Sequence, residues 1–315
     1  MTSIPTSDLL LILGAVALAG IGGESFLRSI LGASTHLRIP RAVAATTLAA
    51  FSTSSPELTV STVAALAGRS EIGLGDALGS NVVNIALIFG LALLFGAMRT
   101  SRKDFGRDFA LALVAPIVTL AFALDGRIGR GEGATLLMLF AIWLVMTLRS
   151  ALQQRHGTPE QSESAGPGPW QTLALGAIGL GAMLAAGRLF VLGATGVATA
   201  LQIDTYVIGA LVVAIGTSLP ELVTVLLARL RCHDDVGVGT LIGSNIFNGL
   251  AIVGVAAGIH PITVPVAEIA VTLACGVAAL LLLLPNSASL IPRGRSLLLL
   301  VLYGGFIWAT VAVGQ

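Results

Sequence analysis

Long apolar stretches, separated by short charged or turn-forming clusters, run along the whole chain and predict membrane-spanning helices. The stretches are about 17–25 residues long, which is the length that a helix needs to cross the hydrocarbon core of a bilayer. The predicted fold class is therefore an all-α integral membrane protein. We expect ten transmembrane helices, at 8–33, 42–68, 73–97, 109–125, 133–149, 170–198, 205–229, 237–258, 264–284 and 296–313.

Composition agrees with this pattern and excludes a soluble protein. Of the 315 residues, 55% are hydrophobic and 10% are charged, whereas about 25% of a typical soluble domain is charged. The net charge of +1 leaves no basic surface for nucleic acid. The first apolar stretch has no basic region before it and continues past Glu24, so it predicts a span and not a signal peptide. Cys232 lies in a charged loop and Cys275 inside a span, so we expect no disulfide between them.

Basic residues are distributed unequally between alternate loops. Arg69, Arg127 and Arg130 are the three on one side, and twelve lie on the other. Because basic loops stay in the cytoplasm, we predict a multi-pass protein of the inner or plasma membrane with both termini outside. The twelve are Arg38, Arg41, Arg99, Arg102, Lys103, Arg107, Arg149, Arg155, Arg229, Arg231, Arg293 and Arg295.

An internal repeat is the strongest feature of the sequence. A shift of 164 residues aligns 50–90 with 214–254 without a gap, and 16 of the 41 positions are identical. The identities include proline, glutamate and asparagine in register, which membrane composition alone would not produce. Self-similarity of this kind indicates duplicated structural units.

Each repeat holds five spans, an odd number, so the second repeat enters the membrane from the opposite side. Inverted-topology repeats are typical of secondary transporters, whose substrate site lies near the bilayer midplane between the repeats. We expect a first five-helix repeat at 1–149 with its motif at about 44–90, and a cytoplasmic linker at 150–169. A second five-helix repeat follows at 170–315, with its motif at about 208–254.

The repeated motifs read S-T-S-S-P-E from Ser52 and G-T-S-L-P-E from Gly216. A proline inside a helix removes one N–H donor and displaces the carbonyl four residues earlier. Pro56 and Pro220 therefore predict interrupted helices 2 and 7. We expect carbonyls near the break to be free to bind a cation, because unpaired carbonyls are costly in hydrocarbon.

Glu57 and Glu221 follow the two prolines directly. Charged residues at the bilayer centre are costly and usually serve function, and two carboxylates brought together repel unless a cation lies between them. The surrounding polar groups carry oxygen, the donor that calcium prefers, with about 6–8 oxygens around the ion. The candidate metal ligands are Glu57, Glu221, Thr53, Ser54, Thr217, Ser218, Ser80, Asn84, Ser244, Asn248, Ala50 and Ala214.

Structural alternatives exist for several of these residues. The prolines could simply kink the helices while the glutamates pair with arginine. Asn84 and Asn248 could make interhelical hydrogen bonds instead of binding ions. Asn81 and Asn245 point about 100° away on their helices and are weaker ligand candidates.

The chain resembles the cation/calcium exchanger superfamily, whose two repeats carry G-T-S-x-P-E and G-S-N-x-x-N/D. The resemblance covers all ten segments and implies alternating-access exchange of calcium for sodium, with no cofactor. It implies that Glu57 and Glu221 serve both ions, that Thr53, Ser54, Thr217 and Ser218 complete the site, and that the remaining polar candidates line the sodium positions. Ser52 replaces the usual glycine, and Asn248 stands where potassium-dependent relatives have aspartate.

Three other functions compete with sodium/calcium exchange. Calcium/proton (or other cation) antiport is the first, but the G-N-x-x-E typical of that branch is absent from the sequence. A non-transporting membrane ion sensor would be expected to carry an output domain. An intramembrane enzyme needs a nucleophile–base pair or a histidine cluster, and the histidines lie outside the predicted spans, at His36, His156, His233 and His260.

The predicted site leaves the charge moved in each cycle open. Two ionised glutamates give a charge of −2, which one calcium or two sodium ions would neutralise, so exchange would be electroneutral. The family resemblance implies an additional sodium ion and electrogenic exchange, and we adopt that expectation. The sequence does not define the oligomeric state, and a monomer is consistent with it.

Overall fold

A computed structural model describes residues 5–100, 102–155, 167–201, 214–264 and 266–313, and these are almost entirely helical. Within these described residues, π-helical stretches occur at Ala45–Ala49, Val83–Ile88 and Phe247–Ile252. The α-helices are α1 (Thr6–Leu37), α2 (Arg41–Ala44), α3 (Ala50–Thr53), α4 (Ser55–Leu66), α5 (Ser70–Val82), α6 (Phe89–Leu94), α7 (Arg102–Phe122), α8 (Arg130–Arg155), α9 (Pro169–Ala200), α10 (Ala214–Thr217), α11 (Leu219–Leu230), α12 (Asp234–Ile246), α13 (Val253–Ile259), α14 (Val266–Leu282) and α15 (Arg295–Val313).

Each predicted segment coincides with a helix or a run of helices in the described residues, although residues 205–213 of the seventh lie outside them. Two apolar helices in the described part of the chain are short, at Ile269–Leu282 and Arg295–Thr310. Six others there are long and apolar enough to cross a membrane, namely Thr6–Leu37, Ser70–Leu94, Phe105–Phe122, Arg130–Gln153, Pro169–Val197 and Asp234–Ile259.

The predicted linker at 150–169 needs correction at both ends. Helix α8 continues to Arg155 and α9 begins at Pro169, while residues 156–166 lie outside the described part of the chain. Hydropathy detects only the apolar part of a helix, so the polar last turns of α8 escaped prediction. Proline suits the first helical position because it has no N–H to leave unpaired, and the Gln171 side chain accepts a hydrogen bond from the Gly168 N–H.

Four two-residue strands in the described ranges were not predicted. Strand β1 (Met98–Arg99) pairs with β4 (Leu290–Ile291), and β2 (Arg127–Ile128) pairs with β3 (Ile262–Thr263), both antiparallel. The two ladders lie at opposite ends of α7, which at 1.5 Å per residue is about 30 Å long. We call the β1–β4 end the arginine-rich face and the β2–β3 end the opposite face. Strands β1 and β3 occupy equivalent repeat positions, yet they lie on opposite faces.

Small residues bring the helices close together. Helices α1 and α9 pack along their length, and a Cβ on Gly179 would lie 2.6 Å from the Phe26 nitrogen. In α12, a Cβ on Gly239 would lie 2.8 Å from Ala45 Cβ, and Gly243 approaches the Thr46 carbonyl even more closely. Helices in lipid associate through such close packing of small residues. Every residue from Val236 to Ile246 is buried, which places α12 at the centre of the bundle.

Candidate functional site

The two proline motifs break their helices in nearly the same way. Ser54 has φ −88° and ψ 11°, and Ser218 has φ −85° and ψ 12°. Each serine separates a short helix from a longer one, and Pro56 or Pro220 occupies the first turn of the longer helix. In the described residues, each proline motif therefore interrupts a helix.

The carbonyls around the first break already have hydrogen-bond partners. The carbonyl of Ser52, which Pro56 releases, accepts a 2.7 Å bond from Ser55 Oγ. The carbonyl of Ala50 accepts a 3.0 Å bond from the Ser54 N–H. The released Ser52 carbonyl thus has a partner within its own helix, and a carbonyl oxygen has a second lone pair that a cation could use. In the second repeat Leu219 replaces Ser55 and has no hydroxyl to donate.

Glu57 and Glu221 meet in the interior of the bundle, where their side chains are 1% and 0% exposed. They lie near enough for their charges to interact. Ser54 Oγ donates a 3.1 Å hydrogen bond to Glu221 Oε1, which joins the motif of one repeat to the carboxylate of the other. Both oxygens of Glu57 and Oε2 of Glu221 are buried without a hydrogen-bond partner.

Other predicted side chains surround the two carboxylates. The hydroxyl of Ser80 lies beside Glu57, and those of Thr53 and Ser244 lie beside Glu221. In the part of the chain that the structure describes, the well-aligned hydrogen bond to these carboxylates comes from Ser54. Thr53 Oγ1 donates to the Ala49 carbonyl at 3.1 Å. Several of the other predicted ligands also carry buried atoms without a hydrogen-bond partner, namely Asn84 Oδ1, Ser218 Oγ, Ser244 Oγ and both amide atoms of Asn248.

This group of unpartnered atoms has a chemical meaning. Each buried polar atom left without a partner costs about 1–3 kcal/mol, so a concentration of them indicates a place that a ligand fills. Most are oxygens, the donors that hard cations such as calcium and sodium prefer. In the described residues the ion pairs of arginine involve Glu24, Asp108 and Asp234. The alternative in which arginine neutralises Glu57 or Glu221 is thus not what the structure contains.

Asn81 and Asn245 hold the two repeats together across the centre. Asn81 Nδ2 donates to the Asn245 carbonyl at 3.2 Å, and Asn245 Nδ2 donates to the Asn81 carbonyl at 3.3 Å. Asn84 Nδ2 also donates to Asn245 Oδ1 at 3.3 Å. Asn84 therefore makes the interhelical bond that was its structural alternative, while its Oδ1 remains available.

The remaining predicted candidates are less closely defined by the structure. Thr217 closes α10 and is half-buried. Ala214 begins α10 at the edge of the described residues. Glu24 lies away from the central site and forms 3.0 Å ion pairs with Arg28 and Arg231. Cys232 and Cys275 are free thiols, as expected.

Asp76 is a polar side chain that the sequence analysis missed. It lies on α5, four residues before Ser80 and hence on the same face of the helix. One of its carboxylate oxygens is buried without a partner, and its charge acts on Glu57. Among the described residues no three acidic, histidine or cysteine side chains cluster tightly enough to hold a metal. Asp76 is therefore near the glutamate pair but not part of it.

Comparison with known proteins shows one family. The family model described as "Sodium/calcium exchanger protein" matches residues 7–149 and 171–312. The chain is 36% identical to "Putative antiporter CaxA" of Alkalimonas amylolytica over 74% of this chain and 76% of that protein. It is 26% identical to "Sodium/calcium exchanger MaX1" of Methanosarcina acetivorans over 96% of this chain and 98% of that protein.

Solved structures of the sodium-calcium exchanger NCX_Mj have a similar fold. The structure soaked with 10 mM Na⁺ and no Ca²⁺ superposes with a TM-score of 0.82 and 30% sequence identity, over 96% of this chain and 98% of NCX_Mj. The similarity therefore extends over nearly the whole length of both proteins.

Proposed function

The chain belongs to the sodium/calcium exchanger protein family, and from this premise we propose that it exchanges calcium for sodium by alternating access through the central oxygen site. The family consists of membrane transporters, so the prediction of a multi-pass antiporter that is not an enzyme is confirmed at that level. Its partners are the transported cations and the lipid bilayer. The observation that carries the proposal is the set of buried, unpartnered oxygens at Glu57, Glu221, Ser218 and Ser244.

An inverted pair of five-helix repeats, at 1–149 and 170–315, supports alternating access. The family model matches the chain in two blocks that nearly coincide with these repeats. Equivalent strands β1 and β3 lie on opposite faces, as an inverted duplication requires. In such transporters one repeat moves against the other around a fixed central site. The hydrogen bonds between Asn81 and Asn245 lie at the contact between the repeats and suit a fixed centre.

Within the site we assign the two charges to Glu57 and Glu221, which bind either calcium or sodium. The hydroxyls and amides around them supply neutral oxygens that complete the coordination of sodium. Those groups are Thr53, Ser54, Thr217, Ser218, Ser80, Asn84, Ser244 and Asn248, with the backbone of Ala50 and Ala214 beside them.

Sodium coupling is favoured over proton coupling by the density of neutral oxygens. Protons need a carboxylate only, whereas sodium needs several oxygens, and Ser218, Ser244 and Asn248 offer unpartnered buried atoms for that purpose. The hydroxyl and amide oxygens around the two glutamates offer more positions than two sodium ions need. This favours electrogenic exchange, with more than two sodium ions for each calcium.

Calcium-45 flux into proteoliposomes tests the proposal. We expect uptake to be driven by an outward sodium gradient, and to respond to a potassium–valinomycin potential by about 2.3 kcal/mol per 100 mV for each net charge moved. Uptake driven by a proton gradient without sodium would establish the calcium/proton alternative. Uptake that ignores the imposed potential would show that the cycle is electroneutral.

The proposed orientation, with both termini outside, can be tested on the unmodified loop thiol. Cys232 is exposed at the arginine-rich face, and Cys275 in α14 is half-buried. In a Cys275→Ala variant we expect an impermeant maleimide to label Cys232 only after the cytoplasmic face is opened. Labelling from outside intact cells would reverse the orientation.

A further inference from the structure

Buried hydroxyls on the helices fall into two groups. Most donate to the carbonyl of the preceding turn, as Thr119 does to Ala115 and Thr240 does to Val236. A few buried helix hydroxyls in the described residues have no partner, and these are Ser61, Ser218 and Ser244. Ser218 and Ser244 belong to the central site. Ser61 behaves like them although it lies outside the predicted ligand set.

Ser61 and Asp76 lie on two neighbouring helices, on the same side of Glu57 and Ser80. Ser61 follows Glu57 by four residues on α4, and Asp76 precedes Ser80 by four residues on α5. Residues four apart share a helix face and are about 6 Å apart along the axis. Since Ser80 lies beside Glu57, Ser61 and Asp76 are each one turn from that pair, toward the opposite face.

Packing directs Ser61 toward the helix that carries Asp76. A Cβ on Gly73 would lie 2.8 Å from Ser61 Cα, and Gly73 precedes Asp76 by three residues on α5. Ser61 is 1% exposed, whereas Asp76 is half-buried, and its Oδ2 is buried without a hydrogen-bond partner. The pair therefore extends from the buried interior to a partly exposed position on the side of the opposite face.

The second repeat has no such pair. At the equivalent positions stand Val225, which has no polar atom, and Thr240, whose hydroxyl is bonded to Val236 at 2.9 Å. Both are fully buried. The combination of a carboxylate and an unpartnered hydroxyl at these two positions therefore occurs in the first repeat, toward the opposite face, and not at the equivalent positions of the second repeat.

We propose that Asp76 and Ser61 form a separate outer cation station between Glu57 and the opposite face, which binds sodium or calcium on its way into or out of the central site. The proposal rests on the function proposed above. The carboxylate attracts the cation and the Ser61 hydroxyl supplies a neutral oxygen, while Glu57 lies about one helical turn further in. Ions that enter from the arginine-rich face meet no equivalent station beside Val225 and Thr240.

Sided transport kinetics test this. In oriented membrane vesicles, Asp76→Asn should raise the half-saturating calcium concentration at the opposite face by about tenfold, because a unit charge near the ion is lost. At the arginine-rich face we expect less than a twofold change. Ser61→Ala should act in the same direction with a smaller shift of about two- to threefold, and Asp76→Glu, which keeps the charge, should stay close to wild type.

Each other outcome overturns the outer station. Equal shifts at both faces for Asp76→Asn would make Asp76 a ligand of the central site, and no shift at either face would show that it meets no ion. Wild-type vesicles are measured first, so absence of calcium exchange there would refute the proposed function separately. In that case the thermal stabilisation of purified protein by CaCl₂ or NaCl is compared between wild type and Asp76→Asn. Stabilisation that Asp76→Asn leaves unchanged would refute cation binding at Asp76.

Discussion

Helices α5 and α12 are copies of one sequence in two different surroundings. Both carry Gly-Ser-Asn followed by a second asparagine, and both continue through a π-helical stretch. Helix α12 is buried from Val236 to Ile246, whereas α5 has exposed residues and a half-buried Asp76. The shared motif keeps the same chemistry at the centre, and the unshared positions make the two routes to that centre different.

The comparison teaches that the match of polar side chains between the repeats ends one helical turn from the glutamates. Ser80 and Ser244, and Asn84 and Asn248, are identical pairs around the central site. One turn further out, Asp76 in the first repeat corresponds to Thr240 in the second. A transporter with an inverted repeat needs an equivalent central site in both orientations, but its two entrances meet different solutions and are free to differ.

The largest expected effect comes from replacing either glutamate of the central site, where the two repeats are identical. Glu57→Gln and Glu221→Gln should each reduce calcium uptake at least about 30-fold, because loss of one buried charge partner costs about 2–5 kcal/mol. Calcium-45 uptake by purified, monodisperse protein measures this. The matched control is Glu71→Gln on the exposed start of α5, which should transport normally. Wild-type flux in either buried variant would mean that the repeats do not share one site.

Close packing of α12 gives the next effect. A Cβ on Gly243 would lie 2.8 Å from Ala50 Cβ and would also collide with the Thr46 carbonyl. Gly243→Ala should therefore destabilise the protein by about 1–3 kcal/mol, measured as a lower thermal midpoint in detergent. Gly181→Ala on α9, where a Cβ meets no atom within 4 Å, is the control. Equal midpoints for the two variants would contradict the close contact.

The asparagines at the contact between the repeats should show a smaller, unequal effect. Asn245→Ala removes two side-chain hydrogen bonds, to Asn81 and from Asn84, whereas Asn81→Ala removes one. We expect a loss of about 1–2 kcal/mol for Asn245→Ala and about half of that for Asn81→Ala. Thermal midpoints at fixed sodium and calcium measure the order. The reverse order would show that Asn81 makes the more important contact.

The smallest effect is a pH dependence at the start of α12. His233 occupies the position equivalent to Arg69, directly before the helix. Burial, together with the nearby charge of Arg41, lowers the pKa of His233, and Asp235 and Asp234 oppose this shift. A lowered histidine pKa means that the unfolded chain binds the proton more readily, so stability falls as pH drops through the ordinary histidine range near 6.5.

Because His233 is only partly buried, solvent screens its interactions and the change should be only a few tenths of a kcal/mol. The thermal midpoint should fall slightly from pH 7.5 to pH 5.5 in wild type and less in His233→Gln. A variant that is more sensitive to acid than wild type would contradict the stated sign.

The sequence alone determined much of the architecture. Span length follows from bilayer thickness and the apolar pattern, so the helical segments could be located without any contact information. The duplicated Pro-Glu motif identified the broken helices and the buried carboxylates, because a proline and a charge inside a span are each costly enough to be informative alone. The apolar pattern and the Pro-Glu motif are each contained in a single helix, so neither requires knowledge of which helices pack together.

Tertiary structure decided which polar atoms meet. The capping of the Ser52 carbonyl by Ser55 and the crossed bonds of Asn81 and Asn245 depend on local rotamers and on the rotation of neighbouring helices. Alignment of the two repeats did not reveal Asp76, because the alignment identifies residues that occur in both repeats and the second repeat has a threonine at the equivalent position. Its significance came from the unpartnered Ser61 on the next helix, a contact between α4 and α5 that only packing around Gly73 defines.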